Sequence, residues 1–186
     1  MKPILNYENI QKITEAEKLP TGGYIIDILG ASEINYTWGS VLEIKFDIAE
    51  GEHKSFYTNQ YLHSQMEDKK YKGVFRLNIP NGDGSEMDEW TARKFKTNIS
   101  AIEDSNPSFH WDWDETKMAG HKVGAVFFEK EWEMNGRTGF YTTVYSFKPI
   151  EDIKSGNYKV PKPKLLKKDT PAMSEEEEIQ MDDLPF

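Results

Sequence analysis

Alternation of apolar and polar residues predicts a strand between residues 41 and 48. The apolar set of this strand is Leu42, Ile44, Phe46 and Ile48, and the charged set is Glu43, Lys45 and Asp47. A period of two places each set on its own face of a strand. We therefore expect the apolar set to face a core and the charged set to face outward.

Four other segments are predicted as strands. Residues 23–30 are rich in β-branched side chains and flanked by glycines, and residues 54–58 follow a short turn. Two long strands, 122–133 and 137–148, are joined by an Asn-Gly turn, and a proline ends the second. Residues 74–79 also have the composition of a short strand.

A helix is predicted over residues 85–101, where Trp90, Phe95 and Ile99 fall near helical spacing. Residues 103–121 are predicted to be irregular. Three strands, a helix-bearing middle and two strands are typical of an all-β fold of the oligonucleotide-binding (OB) type. This is a five-stranded Greek-key barrel, here with an inserted helix. The strand count alone does not decide the function.

The distribution of charge along the chain separates three regions. The formal net charge is −9, and residues 1–157 hold 25 acids and 18 bases. Residues 158–168 hold five lysines and no acid, and residues 169–186 hold seven acids and no base. We expect a folded domain over 1–157, then a disordered Lys/Pro-rich linker and acidic tail over 158–186.

Composition excludes several classes of protein. The chain has no cysteine, which rules out disulfides and thiolate metal sites. No run of apolar residues approaches a membrane span, and no secretory signal is visible at the start, so we expect a soluble, cytoplasmic protein. A Gly-rich phosphate loop with its lysine is absent as well.

The segment at 182–186 is the most specific motif. Four consecutive glutamates at 175–178 precede this segment, which consists of Asp182, Asp183, Leu184, Pro185 and Phe186. Bacterial single-stranded DNA-binding proteins finish in an acidic segment with such a tip, and the chain resembles them here. A weaker resemblance to the phage-type branch covers roughly 105–165. It includes Asn106-Pro107, the run from Ala119 to Gly124, and the aromatic hairpin that follows.

The resemblance implies a protein that protects single-stranded DNA during replication, recombination and repair in a bacterium or a bacteriophage-infected cell. It also implies that the tip docks onto helicases, primases, nucleases or recombination mediators. Homo-oligomers are possible in this family, but the sequence does not indicate the oligomeric state. The tip suits docking because Phe186 is an apolar anchor and Pro185 restricts the unbound conformations. The aspartates would speed encounter with a basic rim.

Binding of single-stranded DNA needs aromatic faces for bases and cations for phosphates. Both residue types interleave on the predicted strands. The candidates are Lys45, Lys54, Tyr57, Tyr61, Lys130, Trp132, Arg137, Tyr141 and Tyr145. Alternation also groups Phe128 with Lys130 and Trp132, and groups Tyr141 with Thr143, Tyr145 and Phe147. The alternative is that such rings fill the core. Arg93, Lys94 and Lys96 would extend the cationic path along the predicted helix, but a solvated helix face is favoured for them.

Two other functions fit the sequence. Asp112 and Asp114, with His110 and His121 nearby, would suit a Mg²⁺-dependent nuclease, to which Asp27 or Asp47 would be recruited. An adaptor that carries the tip without binding DNA is favoured by the acidic body. We expect neither catalysis nor a cofactor. We also expect removal of residues 169–186 to strengthen DNA binding at low salt.

Overall fold

Five antiparallel strands form one sheet in the computed structural model, which describes residues 18–166. The strand order is β3-β2-β1-β4-β5. The strands are β1 (Gly22–Tyr36), β2 (Gly39–Ile48), β3 (Val74–Asn78), β4 (Lys122–Met134) and β5 (Arg137–Lys148). The helices are α1 (Phe56–His63), α2 (Glu86–Ser105) and α3 (Ile150–Ser155), and a 3₁₀ turn spans Glu115–Met118. The predicted β-rich fold with an inserted helix is confirmed at this level. The predicted acidic segment, residues 169–186, lies outside the described residues.

The apolar face of β2 is in the core, as its alternation predicts, and Lys45 is exposed. The outward placement of Glu43 and Asp47 is wrong, because both side chains are buried. Glu43 accepts a 2.9 Å hydrogen bond from Nε of Arg76 on β3. Asp47 accepts hydrogen bonds from the backbone N–H groups of Ile48, Tyr57 and Thr58 at 2.8–2.9 Å. These partners compensate for the burial of two charges.

Helix α1 replaces the strand predicted at residues 54–58. Asp47 supplies the carboxylate that satisfies two N–H groups in the first turn of the helix. Ser55, just before the helix, has φ 60°, a left-handed conformation that turns the chain out of the extended path. The strand that pairs with β2 is β3 instead, with Ile44 opposite Phe75.

Helix α2 packs its apolar side on the sheet and is longer than predicted. Ser85 begins it, since its hydroxyl accepts a hydrogen bond from the Asp88 N–H at 3.1 Å. The buried Asn98 then joins the helix to β5, because its Oδ1 accepts from the Phe147 N–H at 2.7 Å.

A bulge in β5 changes which side chains share a face. Val126 is opposite Ser146, whereas Phe127 is opposite Val144, so Tyr145 is the extra residue. The predicted grouping of Phe147 with Tyr141, Thr143 and Tyr145 is therefore wrong. Phe147 is fully buried, and its ring centroid lies 4.8 Å from that of Phe75 on β3. This aromatic contact joins the two edge strands of the sheet.

The chain after α3 lies along β4, although residues from 158 onward are predicted as linker. The Tyr158 hydroxyl accepts a 3.0 Å hydrogen bond from the Gly23 N–H. A Cβ atom at Gly23 would lie 2.5 Å from the Tyr158 ring, so this close approach requires glycine. Farther along, the Lys164 backbone exchanges two 2.9 Å hydrogen bonds with Glu129 and Glu131.

Candidate functional site

A groove of about 1920 Å³ runs between the two edge strands, β3 and β5. The N-terminal half of α2 and residues 156–164 also line it, together with the start of α1. Because β3 and β5 are the outer strands of the sheet, the groove occupies the place where the sheet does not close by backbone pairing.

The groove is strongly basic although the described chain as a whole is acidic. Residues 18–166 contain 19 Lys and Arg residues and 22 Asp and Glu residues. Nine of those cations line the groove, with one of those acids, Asp152. The nine are Lys18, Lys72, Arg76, Lys94, Lys130, Lys148, Lys159, Lys162 and Lys164. Lys18 pairs with Glu129, and Arg76 pairs with Glu43. This concentration of cations gives the groove a local positive potential.

Aromatic rings are interspersed among these cations. Trp90 on α2 is 42% exposed, and Tyr141 on β5 is 44% exposed. Lys94 lies with its Nζ 4.9 Å from the Trp90 ring centroid and 6.0 Å from that of Tyr145. The Tyr145 ring in turn lies 5.3 Å from Phe128. A row of rings and one ammonium group thus extends from α2 to β4 along the groove.

Four of the nine predicted DNA-binding residues line the groove: Tyr57, Lys130, Tyr141 and Tyr145. Lys130 and Tyr141 are directly opposite each other on β4 and β5. Tyr57 differs from the other three because only 6% of its surface is exposed, so its ring packs in the core. It therefore offers little face for stacking.

The other five predicted residues do not line the groove: Lys45, Lys54, Tyr61, Trp132 and Arg137. Tyr61 instead contacts Lys69, whose Nζ lies 4.9 Å from its ring centroid. Trp132 covers Gly139 of the neighbouring strand, where a Cβ atom would lie 2.9 Å from the indole nitrogen. Arg137 is exposed where the β4–β5 hairpin turns.

Helix α2 contributes more to the groove than its sequence indicates. A solvated helix face was favoured for Lys94 over a place in a cationic path, whereas Lys94 and Trp90 both line the groove. The signal was their i, i+4 spacing, which brings a cation over an aromatic ring on one helix face. Lys72 and Arg76 were not among the candidates. Lys72 precedes β3 and Arg76 lies in it, and the position of β3 beside the groove depends on the pairing of the whole sheet.

Two tyrosines at the groove remain neutral phenols across the physiological range. Burial raises the pKa of Tyr71 to about 12, and its hydroxyl donates to the Phe46 carbonyl at 2.9 Å. Burial also raises the pKa of Tyr57 above its usual value, and the nearby Asp47 carboxylate adds to the effect. This part of the groove therefore adds no negative charge.

The aspartates considered for a nuclease are engaged locally. Asp112 pairs with Lys117, whose hydrogen bond lowers the pKa of Asp112 below its ordinary value. Asp114 accepts from the Thr116 N–H at 3.2 Å, and Nδ1 of His110 lies 2.9 Å from a carboxylate oxygen of Glu103. Across residues 18–166, no three His, Asp or Glu side chains are grouped in a way that would hold a metal ion.

Comparison with known proteins gives no matching family model and no similar curated protein. The groove therefore has to be interpreted from its own chemistry. Within the described part of the chain, none of the helices combines the length and apolar character that crossing a membrane requires.

Proposed function

We propose that the protein binds single-stranded DNA in the groove between β3 and β5, without strong sequence preference. The observation that carries the proposal is the gathering of nine cations and several accessible rings in one groove. Cations attract phosphates whatever the sequence, and every base has a face that stacks on an aromatic ring. A groove with both features suits a strand whose bases are not paired.

The row formed by Trp90, Lys94 and Tyr145 is the best candidate for the stacking surface. Its rings are separated by an ammonium group, which is the alternation that a chain of bases and phosphates requires. Tyr141 and Lys130 repeat this pairing across β5 and β4. Duplex DNA hides the base faces, so we expect it to bind more weakly than a single strand.

The strand order supports an OB-type barrel as the finer description of the fold. The sheet order β3-β2-β1-β4-β5, with α2 between β3 and β4, needs only contact between β3 and β5 to form a ring. The Phe75–Phe147 ring contact provides it through side chains. OB folds bind oligonucleotides on their strand surface and adjoining loops.

We further propose that residues 182–186 dock onto replication, recombination or repair proteins. This proposal rests on the resemblance of Asp182, Asp183, Leu184, Pro185 and Phe186 to the tip of bacterial single-stranded DNA-binding proteins. These residues lie outside the described part of the chain. The protein would then hold DNA in its groove and recruit helper enzymes through the tip.

The test of DNA binding is a titration of the full chain with single-stranded DNA, duplex DNA and single-stranded RNA at two salt concentrations. We expect the tightest binding to single-stranded DNA and weaker binding as salt rises. Lys130→Ala should weaken binding, whereas Lys45→Ala, an exposed lysine outside the groove, serves as the matched control. Absence of binding to oligo(dT) even in dilute buffer would refute the proposal. The remaining alternative would be an adaptor that carries the tip without binding DNA.

The same reactions carried out with Mg²⁺ test for a nuclease. Intact oligonucleotide is the expected result. Cleavage that disappears in Asp112→Ala or Asp114→Ala would replace the binding proposal with an enzymatic one.

Docking is tested separately by removing Phe186 and measuring association with helicases, primases, nucleases and recombination mediators. We expect loss of association with DNA binding unchanged. Full retention of every contact would refute the role of the tip.

A further inference from the structure

Two aromatic rings are stacked and exposed at the turn between β1 and β2. The ring centroids of Tyr36 and Trp38 are 5.1 Å apart, and their planes differ by 6°. Tyr36 is 42% exposed and Trp38 is 62% exposed. The stack restrains the indole while leaving most of its surface in solvent. A further ring could therefore stack on Trp38 with little loss of side-chain entropy.

A small cavity lies against Trp38 and adjoins the groove, with which it shares lining residues. Its volume is about 180 Å³, well below the roughly 300 Å³ at which pockets begin to hold drug-sized ligands, so it suits a single ring system. Asn78 and Thr91 line both the cavity and the groove. A strand that follows the groove past these two residues would therefore reach Trp38.

The charges of the cavity are opposite to those of the groove. Its lining contains two carboxylates, Asp83 and Asp88, and no Lys or Arg. Such a lining repels phosphate but accepts hydrogen bonds from N–H groups. Carboxylates read the exocyclic amine of cytosine in this way, whereas thymine carries a carbonyl at that position.

Both carboxylates are held in place by the backbone. Asp88 accepts from the N–H groups of Asn81 and Gly82 at 2.6 and 3.0 Å. Asp83 accepts from the Ser85 N–H at 2.8 Å, a contact that also lowers the pKa of Asp83 and keeps it ionised. A carboxylate has about four lone-pair sites, so each retains capacity for a ligand donor.

From the exposed stack, the adjoining cavity and its acidic lining, we propose that Trp38 stacks a nucleobase that bears an exocyclic amine. Asp83 accepts from that amine. This inference rests on the proposed binding of single-stranded DNA in the groove, to which it adds a terminal base-binding site with a preference for cytosine over thymine. Groove binding is indifferent to sequence, so the preference arises in the cavity alone.

The experiment compares oligo(dC) and oligo(dT) of equal length by fluorescence anisotropy with the full chain. We expect Trp38→Ala to weaken oligo(dC) binding by about 5-fold to 100-fold, as loss of one stacked base does. Trp113→Ala is the matched control, since Trp113 is also exposed and lies away from the cavity and the groove. Asp83→Asn should narrow the difference between oligo(dC) and oligo(dT).

The outcomes separate the two proposals. If wild-type protein binds both oligonucleotides and Trp38→Ala binds as wild type does, the cavity inference is wrong and groove binding stands. If wild-type protein binds neither, the proposed function itself fails. If Trp38→Ala and Trp113→Ala weaken binding equally with circular dichroism unchanged, the effect is not specific to the cavity, and the inference is also overturned.

Discussion

Tyr141 combines an exposed ring with a cationic neighbour, Lys130, on the facing strand. We predict that Tyr141→Ala lowers the affinity for oligo(dT) by about 5-fold to 100-fold, because one base loses its stacking partner. Tyr61→Ala is the control, since Tyr61 was an equal candidate from sequence but does not line the groove. Fluorescence anisotropy measures both, and equal losses in the two variants would contradict the assignment of the groove.

Alkaline pH tests the burial of Tyr71. An unfolded tyrosine has a pKa of about 10, whereas in the folded protein burial raises the pKa of Tyr71 to about 12. The unfolded state therefore loses this proton first, and the contribution of Tyr71 to stability is complete below about pH 10 and is lost as pH rises toward 12. Urea unfolding across this range should show a falling free energy of unfolding.

Tyr71→Phe supplies the control for that measurement. Phenylalanine cannot ionise, so the variant should lose less stability between about pH 10 and pH 12 than the wild type does. Identical pH profiles for the two proteins would show that Tyr71 ionises normally in the folded state. Absorbance of the tyrosinate ion reports the same titration directly.

The sequence indicates which rings lie on strand-like segments, but not whether each ring is buried or exposed. The alternation that identifies Tyr57 and Tyr145 as strand-like rings is the same for a core ring and a surface ring. Tyr57 is buried beside Asp47, while Tyr145 is half-buried and is the extra residue of the bulge. Which face of a strand meets solvent depends on the neighbouring elements, and no local pattern contains that information.

At the scale of an element, α1 depends on a carboxylate that comes from a different element. We predict that Asp47→Ala lowers the free energy of unfolding by about 1–3 kcal/mol, because three backbone N–H groups lose their acceptor. Asp27→Ala is the control: Asp27 lies directly opposite on β1, but its ion partner Lys122 is 4.0 Å away. That variant should lose less than about 1 kcal/mol. Equal urea midpoints for Asp47→Ala and Asp27→Ala would contradict the role of Asp47 in capping α1.

Elements with strong local signals were predicted well, and those set by distant contacts were not. The hairpin of β4 and β5 has a turn and long alternation within the 27 residues from Lys122 to Lys148, and a terminating proline follows at once. Residues 54–58 have the aromatic and β-branched content of a strand, yet Asp47 stabilises a helix there. A strand partner or a helix cap supplied from elsewhere in the chain outweighs a weak local preference.

At the scale of the whole molecule, the groove could not be predicted from the net charge. Its nine cations come from segments spread between Lys18 and Lys164, and the fold alone brings them together. The acids stay largely on other surfaces, so a chain with a net charge of −9 still presents a basic site. The residue types that such a groove needs are visible in the sequence, but their convergence in space is not.

Removing residues 169–186 tests whether the acidic segment competes with DNA for the groove. We predict that the truncated protein binds oligo(dT) more tightly than the full chain at low salt. The difference between the two affinities should shrink at high salt, because salt screens the attraction between the acidic segment and the groove. Isothermal titration at two salt concentrations measures this. Equal affinities at low salt would show that the segment does not compete.

The contact between Gly23 and Tyr158 has a consequence for how the site can be altered from a distance. The methyl group of Gly23→Ala would occupy space that the phenol ring fills, and would act as a wedge between β1 and the chain that follows α3. Lys159 and Lys162 would then move away from the groove with that chain. A single added methyl group at Gly23, which does not itself line the groove, would thereby lower the affinity for DNA by detaching part of the groove wall.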